Sequence, residues 1–277
     1  MRHLVANGYD VALHFNTNTD RATAIAAELA EAFPEAVVVP LQADLLDPAQ
    51  IEALVPRAAM ALAVEGTSSN SRRLQLLVNN ASLFEPDTLL SATRTSWDRH
   101  MKTNLEAPFF LTQAFARQLL CSLSGKATTA ADDAEWPMVT PAAIAGLPRD
   151  SAGEPVAEGL VINMIDQRVR KPTPQFATYT LAKQALWAMT QTSAQGLAPA
   201  IRVNAIGPGP TLCGARQDPA EYAAQRATCA LGRGSNPEDI TGALDYFLAA
   251  RGVTGQLLCV DGGQHLAWET HDTKFRE

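Results

Sequence analysis

Two patterns of hydrophobic residues, one typical of strands and one typical of helices, alternate along this chain. Short apolar runs bounded by polar residues are typical of buried strands, and they occur at residues 11–15, 36–41, 74–78, 161–166, 202–206 and 254–261. Longer stretches carry apolar residues three and four apart, which predicts amphipathic helices, and they cover residues 20–33, 48–64, 97–120 and 179–197. Because strands that alternate with helices favour a parallel sheet, we interpret residues 1–277 as a single doubly wound α/β domain.

Two segments depart from this rhythm. Residues 121–159 are rich in Ala, Pro, Gly, Ser and Asp, and residues 264–277 form a polar tail that contains Trp268. Since the first segment is long for an internal loop, we interpret it as a surface insertion. We expect the C-terminal tail to fold over the site of a neighbouring subunit.

Composition and charge narrow the classes of ligand. Hydrophobic residues make up 47% of the chain and charged residues 18%, which suits a sizeable core. A net charge of -7 disfavours a nucleic-acid surface. No apolar run is long enough to span a bilayer, and the four cysteines have neither metal-ligand nor paired spacing. We therefore expect a cytoplasmic protein that binds a small molecule, without a metal, a membrane or a nucleic acid.

One strand and the helix after it carry the clearest candidate chemistry. The strand at 161–166 ends in Asp166, and Tyr179 and Lys183 open the following helix. Residues four apart share a helix face, so we expect the Lys183 ammonium to favour ionisation of the Tyr179 phenol and to let it pass a proton near neutral pH. The structural alternatives are a buried tyrosine beside a surface lysine and a carboxylate that only caps its loop.

Three more motifs accompany this pair in a characteristic order. They are Asn-Asn-Ala at 79–81, Gly-Pro-Gly-Pro-Thr-Leu at 207–212 and Val-Asp-Gly-Gly at 260–263. The whole set resembles the short-chain dehydrogenase/reductase family over nearly the entire chain. The resemblance implies an NAD(P)-dependent oxidoreductase built on one Rossmann-type domain, and a homo-oligomer, usually a tetramer.

The start of the chain departs from that family. A Rossmann unit begins with a strand, a glycine-rich turn and a helix, yet Thr-Gly-x-x-x-Gly-x-Gly occurs nowhere in this sequence. We predict a sheet that lacks its first strand, which would leave roughly ten backbone groups unpaired at about 1 kcal/mol each. Because that loss rivals the ~5–15 kcal/mol stability of a domain, we hypothesise a natural start about twenty residues earlier. The alternative is a short form that serves as a non-catalytic subunit.

The resemblance also implies cofactor contacts. His14, Asn16 and Thr17 stand where NAD-selective members place an acidic residue on the ribose 2′-OH, so their polar side chains favour a 2′-phosphate and hence NADPH. A surface loop without a cofactor role is the alternative, and Asp44 could equally cap a helix or turn. The other implied cofactor contacts are Asp44, Leu45, Asn80, Ala81, Ser82, Tyr179, Lys183, Pro208, Gly209 and Thr211.

Two features are narrower than the family pattern. Ser82 followed by Phe84 resembles the pteridine reductases, in which the Phe stacks on a pterin over the nicotinamide and the Ser bonds the cofactor or substrate. Stacking adds about 0.5–1.5 kcal/mol beyond burial, whereas ordinary loop packing of Phe84 is the alternative. Asp166 replaces the usual serine, as it does in pteridine reductases, and a carboxylate is a poor donor to a ketone and a good partner for an N–H.

The expected function follows from this subgroup. We expect an NADPH-dependent reductase of pterins and dihydropterins, with dihydrofolate as a further candidate, in which Tyr179, Lys183 and Asp166 relay a proton. Asn104 is implied at a helix irregularity, where it holds a water of the relay, although a mid-helix Asn can also bond a neighbouring carbonyl. The substrate residues would be Ser82, Phe84, Asp166 and Tyr179. Reduction of another carbonyl or enoyl compound and a non-catalytic role stay open as alternatives.

Overall fold

The computed structural model describes residues 1–65, 73–125, 139–214 and 217–268. Within these ranges the strands are β1 Val11–Phe15, β2 Val38–Gln42, β3 Leu76–Asn79, β4 Gly159–Met164, β5 Ile201–Pro208 and β6 Leu257–Val260. The helices are α1 Arg2–Ala6, α2 Thr19–Ala32, α3 Pro48–Glu65, α4 Arg94–Met101, α5 Ala107–Ser124, α6 Pro141–Ala145, α7 Ala177–Leu197, α8 Pro219–Ala227 and α9 Pro237–Ala249. A π-helical turn at Lys102–Glu106 joins α4 to α5, and 3₁₀ turns occur at Gln167–Val169 and Gln264–Leu266. None of the described helices has both the length and the apolar composition needed to cross a membrane.

The described strands are all parallel, and they form two sheets. β1 pairs with β2, and β3, β4, β5 and β6 pair in that order. Among the described strands, β1 and β3 each have an edge without a ladder partner. The predicted parallel α/β fold is thereby confirmed, and no ladder among the described strands joins β1 to β3.

Burial differs between the two sheets. β4 is buried at every residue except Met164, and β5 is buried at all but two of its eight residues. This is typical of parallel strands whose two faces are both covered by helices. In β1, by contrast, all five residues are only half-buried.

Helices cover both faces of the four-stranded sheet. Val161 of β4 belongs to a core shared with α3, α5 and the last turn of α7, whereas Leu160 and Ile162 point to the other face and pack near Phe247 of α9. The split follows from the two-residue period of a strand. Leu4 of α1 packs against the second core, so the N-terminal helix is fixed to the sheet.

The described ends of segment 121–159 do not form a surface insertion, so that expectation is wrong there. Cys121 to Ser124 complete α5, and Leu123, Ala143 and Leu147 are buried in the first core. A Cβ at Gly146 would lie 2.2 Å from the Leu123 carbonyl oxygen, which shows how closely α6 abuts α5. Residues 126–138 lie outside the described ranges, as do residues 269–277 of the predicted tail.

Candidate active site

Polar side chains meet at the carboxyl edge of the four-stranded sheet. β3 ends at Asn79, and Asp166 follows the end of β4 by two residues. Helix α7 packs on β5 and carries Tyr179 and Lys183 in its first two turns. Open α/β sheets bind ligands at this edge. The structure thus brings three of the four predicted catalytic side chains together at one place.

The two carboxylate oxygens of Asp166 accept different hydrogen bonds. Its Oδ2 accepts a hydrogen bond from the Tyr179 hydroxyl at 3.0 Å. Its Oδ1 accepts from the backbone N–H of Arg168 at 2.7 Å and caps the 3₁₀ turn. The loop-capping alternative and the predicted pairing with tyrosine are therefore both present, one on each oxygen.

Lys183 is buried beneath this pair. Its side chain is 2% exposed, and its Nζ donates to the Met164 carbonyl oxygen at 2.8 Å and lies 5.7 Å from the centroid of the Tyr179 ring. The surface-lysine alternative is therefore excluded. An ammonium has three N–H groups, and this is the one hydrogen bond that it makes within the described residues. Two donors remain for the hydroxyls of a ligand.

Burial controls the proton affinities of the site. It raises the pKa of Asp166, raises the pKa of Tyr179 well above its usual range together with the adjacent Asp166 carboxylate, and lowers the pKa of Lys183 to about 8. The expected ionisation of Tyr179 by Lys183 is wrong, because the ammonium bonds the Met164 carbonyl and the phenol faces a carboxylate. The geometry favours the neutral phenol, which is the form that holds a proton to donate.

An aromatic group lies beside the phenol. The ring of Phe84 stacks on that of Phe176, with centroids 4.1 Å apart and planes 6° apart, and it meets the Tyr179 ring edge-on at 4.7 Å. Phe84 is nevertheless 45% exposed. The guanidinium of Arg168 lies 5.2 Å from the Phe176 ring centroid, within the range of a cation–π contact. One face of Phe84 is thus covered by Phe176, and the ring also contacts that of Tyr179.

Asn104 lies on the π-helical turn, as the predicted irregularity requires, and it is fully buried. Its Oδ1 accepts from the Leu83 backbone N–H at 2.8 Å and from the Ser82 hydroxyl at 3.2 Å, and its Nδ2 donates to the Leu83 carbonyl at 2.9 Å. The side chain therefore holds the loop that carries Phe84. Its role in a proton relay stays a prediction.

The turn after β5 is held by packing. Pro208 ends the strand, and a Cβ at Gly209 would lie 2.6 Å from the Cβ of Asp261, so only glycine fits there. The Thr211 hydroxyl lies 2.8 Å from that of Ser235 and also donates to the Gly209 carbonyl oxygen. Arg226 of α8 donates to the carbonyl oxygens on both sides, those of Pro210 and Ser235.

The predicted adenosine contacts lie apart from the catalytic group, on the β1–β2 pair. His14 Nε2 lies 2.9 Å from the Ala43 carbonyl oxygen and so ties the two strands together. Asn16 and Thr17 are exposed. Asp44 accepts from the Leu46 N–H and forms a turn, while the Leu45 side chain is buried in the first core, so only its backbone could meet an adenine.

Four further side chains lie next to the candidate catalytic residues and could not be recognised from the sequence, namely Asp87, His100, Arg168 and Phe176. Phe176 is the described non-glycine residue with positive φ, at 57°, and no glycine or asparagine marked that place. Asp87 and His100 are buried polar residues that lie 91 and 78 residues from their partner Thr178. The residues around Asp87 and His100 in the sequence give no indication of a partner so far along the chain.

The chain is similar to protein-family models, to a solved structure and to two known reductases. The family model for short chain dehydrogenases matches residues 1–130, and the model described as enoyl-(acyl carrier protein) reductase matches residues 145–265. The crystal structure of FolM alternative dihydrofolate reductase 1 from Brucella suis, in complex with NADP, is 36% identical with a TM-score of 0.76, over 98% of this chain and 90% of that one. Pteridine reductase 1 of Leishmania tarentolae is 26% identical over 95% of this chain and 90% of its own, and dihydromonapterin reductase of Enterobacter sp. (strain 638) is 28% identical over 73% and 71%.

These matches agree with the geometry of the site. Two family models cover nearly all of the chain between them, and a solved structure above 30% identity is spanned almost from end to end. The tyrosine–lysine pair on α7 and the Asn-Asn-Ala turn after β3 lie at the ligand-binding edge of a parallel sheet. The chain belongs to the short-chain dehydrogenase/reductase family.

Proposed function

We propose that this protein is an NADPH-dependent reductase of pterin-type rings, acting on dihydropterins and dihydrofolate. The observation that carries the proposal is the hydrogen bond from the Tyr179 hydroxyl to Asp166 at 3.0 Å. A carboxyl group beside the phenol suits proton delivery to a ring nitrogen better than activation of a ketone. In its protonated form it can return a proton to the phenol oxygen, whereas an ionised carboxylate only accepts hydrogen bonds and cannot polarise a ketone. The names of the Brucella, Leishmania and Enterobacter proteins point to the same class of substrate.

The residues at the catalytic edge fit the nicotinamide half of the cofactor. Lys183 keeps two N–H donors for ribose hydroxyls, and the small residues Ala81 and Ser82 follow β3 at the same edge. The exposed side chains of Asn16 and Thr17, with no carboxylate at either place, suit a ribose phosphate. The sequence contains no glycine-rich turn for the pyrophosphate. Cofactor binding is therefore the first quantity to measure.

The proton path uses Tyr179 and Asp166. When bound, NADPH supplies the hydride to a ring carbon. The neutral Tyr179 phenol donates its proton to the adjacent ring nitrogen, and a protonated Asp166 replaces that proton on the phenol oxygen. Burial raises the pKa of Asp166, which favours the protonated form that this step needs. Lys183 orients the ligand through its remaining N–H groups.

Substrate orientation is assigned to the aromatic group. Phe84 offers its exposed area to one face of a flat ring beside the Tyr179 hydroxyl. The Ser82 hydroxyl, which Asn104 orients, lies at the start of the same loop and suits a contact with a ring substituent. Stacking of this kind contributes about 0.5–1.5 kcal/mol beyond burial, which is enough to select an orientation.

The test is a spectrophotometric assay of NADPH oxidation. Purified protein is given biopterin, dihydrobiopterin or dihydrofolate, and in parallel a ketone and an enoyl thioester. We expect turnover of at least one pterin or folate and little of the other two compounds. Turnover confined to the ketone or the enoyl thioester would overturn the proposal and favour the alternative suggested by the enoyl-reductase family model. A fluorescence titration that finds no NADPH binding would favour a non-catalytic subunit.

We also propose a cytoplasmic homotetramer. Phe109 and Phe110 on α5 and Leu181 on α7 are 46%, 37% and 50% exposed, and large apolar side chains on adjacent helices are typical of subunit contacts. The four cysteines are unpaired, which suits a reducing compartment. Light scattering after size exclusion measures the assembly, and a monomer at micromolar concentration would contradict it.

A further inference from the structure

We infer that a buried network of Asp87, Thr178 and His100 positions Tyr179 and Phe84 for the reaction. The inference rests on the proposed role of Tyr179 as proton donor, because positioning has a functional meaning only if that residue acts. The three network residues are 7%, 2% and 0% exposed. None of them needs to touch the substrate. They connect the loop that carries Phe84 with the first turn of the helix that carries Tyr179.

Asp87 caps helix α7 from a distant loop. Its Oδ1 accepts from the Thr178 backbone N–H at 3.2 Å, and its Oδ2 accepts from the Thr178 hydroxyl in a short hydrogen bond. Its carbonyl oxygen accepts from the N–H groups of Phe176 at 2.7 Å and Ala177 at 3.4 Å. N–H groups in the first turn of a helix have no partner within the helix. One residue of the Phe84 loop therefore satisfies three of them in succession around the start of α7.

His100 fixes the direction of the hydrogen bonds. Its Nε2 accepts from the Glu85 backbone N–H at 3.2 Å, so its proton lies on Nδ1, which is 2.7 Å from the Thr178 hydroxyl oxygen. A hydroxyl has one proton to donate and can accept as well. His100 therefore donates to Thr178, and Thr178 donates to Asp87. The chain of bonds runs one way and needs a neutral imidazole.

The network reaches both functional aromatic groups. Thr178 immediately precedes Tyr179, and the His100 ring packs edge-on against the Tyr179 ring at 6.1 Å. The Asp87 carbonyl holds Phe176 at its positive φ, a conformation that is strained for a bulky residue. Phe176 in turn stacks on Phe84. Loss of the network would thus release the phenol and the stacking ring together.

Two threonines on either side of Tyr179 provide a matched test. Thr178 lies in the network, whereas the Thr180 hydroxyl is buried and has no hydrogen-bond partner among the described residues. Thr178→Val and Thr180→Val make the same isosteric change one residue before and one residue after the phenol. We expect Thr178→Val to lower kcat about ten- to hundredfold with an unchanged KM for NADPH, since small misplacements have effects of this size. Thr178→Ser restores the hydroxyl and should keep at least half of the activity.

The control variant, Thr180→Val, has an expected result of its own. Thr180→Val should keep the wild-type kcat and lose no thermal stability, because it removes an unpaired buried hydroxyl. If both valine variants have wild-type kcat, or if both lose it equally, the inference is overturned. If Thr178→Val does not fold, Asp87→Asn tests the same point, since it keeps the shape and reverses one hydrogen bond. Wild-type kcat in Asp87→Asn would then refute it.

A second readout separates this inference from the proposed function. The chain contains four tyrosines, so labelling the tyrosine Cζ with ¹³C gives a short spectrum in which Tyr179→Phe identifies one signal. Thr178→Val should shift or broaden that signal and Thr180→Val should not, whatever the substrate is. If the wild type reduces no pterin but the shift is present, the proposed function alone has failed. If the Tyr179 signal is unchanged in Thr178→Val, the positioning inference has failed.

Discussion

The catalytic edge of the four-stranded sheet and the corresponding edge of the β1–β2 pair use their polar side chains differently. At the first edge, Tyr179 and Lys183 are at least 95% buried and bond to other groups of the chain, and burial shifts the pKa values of both. At the second edge, Asn16 and Thr17 are exposed to solvent. Proton transfer requires groups with shifted pKa values, and contact with water would cancel those shifts. Recognition of a charged cofactor group requires hydrogen-bond donors that are accessible to the cofactor.

The comparison predicts which kinetic constant each edge controls. Substitutions at the buried edge should change kcat, because they alter proton delivery. Substitutions at the exposed edge should change the KM for the cofactor, because they alter binding alone.

Removal of the Tyr179 hydroxyl should have the largest effect. Tyr179→Phe keeps the ring packed against Phe84 and deletes the proton donor, so we expect kcat to fall about 10²–10⁴-fold, the range typical of general acids. Steady-state kinetics with dihydrobiopterin measure the fall, and fluorescence titration should find NADPH affinity within about twofold of wild type. An unchanged kcat would mean that the phenol is not the donor.

Neutralising Asp166 should separate activity from stability. Burial raises the pKa of this carboxyl in the folded protein. The contribution of Asp166 to folding stability therefore falls as pH rises from about 3.9, the pKa in the unfolded chain, through the folded pKa. At neutral pH the buried charge is destabilising. Asp166→Asn should therefore raise the Tm at pH 7 while it lowers kcat about ten- to hundredfold.

The pH profile provides the control for that variant. Wild-type kcat should fall as pH rises and Asp166 loses its proton, and the Asp166→Asn profile should be flat over the same window. A Tm below that of the wild type at pH 7 would contradict the account of the buried charge.

A substitution at the exposed edge should alter cofactor choice by a smaller factor. Asn16→Asp places a carboxylate at the position that we propose faces the cofactor ribose, where NAD-selective enzymes use an acidic residue to bind the 2′-OH. We expect the KM for NADPH to rise about tenfold, because a carboxylate repels a phosphate, with kcat at saturation unchanged. Asn18→Asp, two residues further on, is the matched control, because Asn18 caps α2 by accepting from the Arg21 N–H and an aspartate keeps that bond. A fall in kcat with unchanged KM would break the proposed division between the two edges.

His100 should produce the smallest and most gradual effect, a change of stability with pH. Burial lowers its folded pKa, an effect that outweighs the opposing charges of Asp87 and Glu85. The unfolded chain therefore binds the proton more readily, so stability is complete above about pH 6.5 and falls as pH decreases below it, by at most about 1.4 kcal/mol per pH unit.

Chemical denaturation between pH 5 and 8 measures this slope. In His100→Gln the slope attributed to the imidazole should disappear, while the slope from the other groups persists. If wild type and variant have parallel stability curves, the imidazole is not held neutral by the fold.

The parts of this molecule that depend on local pattern could be predicted from the sequence. The apolar runs of β4 and β5, the tyrosine and lysine one turn apart, and the carboxylate at a strand end each carry their signal within a few residues. The prediction of a sheet without its first strand also followed from a motif whose absence is visible in the sequence. In each case, neighbouring residues specify the feature.

Features that depend on distant partners could not be predicted in the same way. The Lys183 ammonium was expected to favour ionisation of Tyr179, but its bond to the Met164 carbonyl depends on how α7 lies relative to the end of β4. The end of segment 121–159 had a loop-like composition, yet Ala143 and Leu147 reach the core because α6 packs on α5. Small residues that permit close packing are indistinguishable in sequence from those that form loops.

The helix that contains the π turn also determines the shape of the loop opposite it. His100 and Asn104 are four residues apart on this helix, and they bind the backbone at Glu85 and Leu83, on the two sides of Phe84. These hydrogen bonds fix the backbone on both sides of Phe84, so the helix restricts the conformation of the loop. A single-residue deletion between His100 and Asn104 would rotate one anchor by about 100° relative to the other. The aromatic platform would then be lost without any change to the residues that compose it.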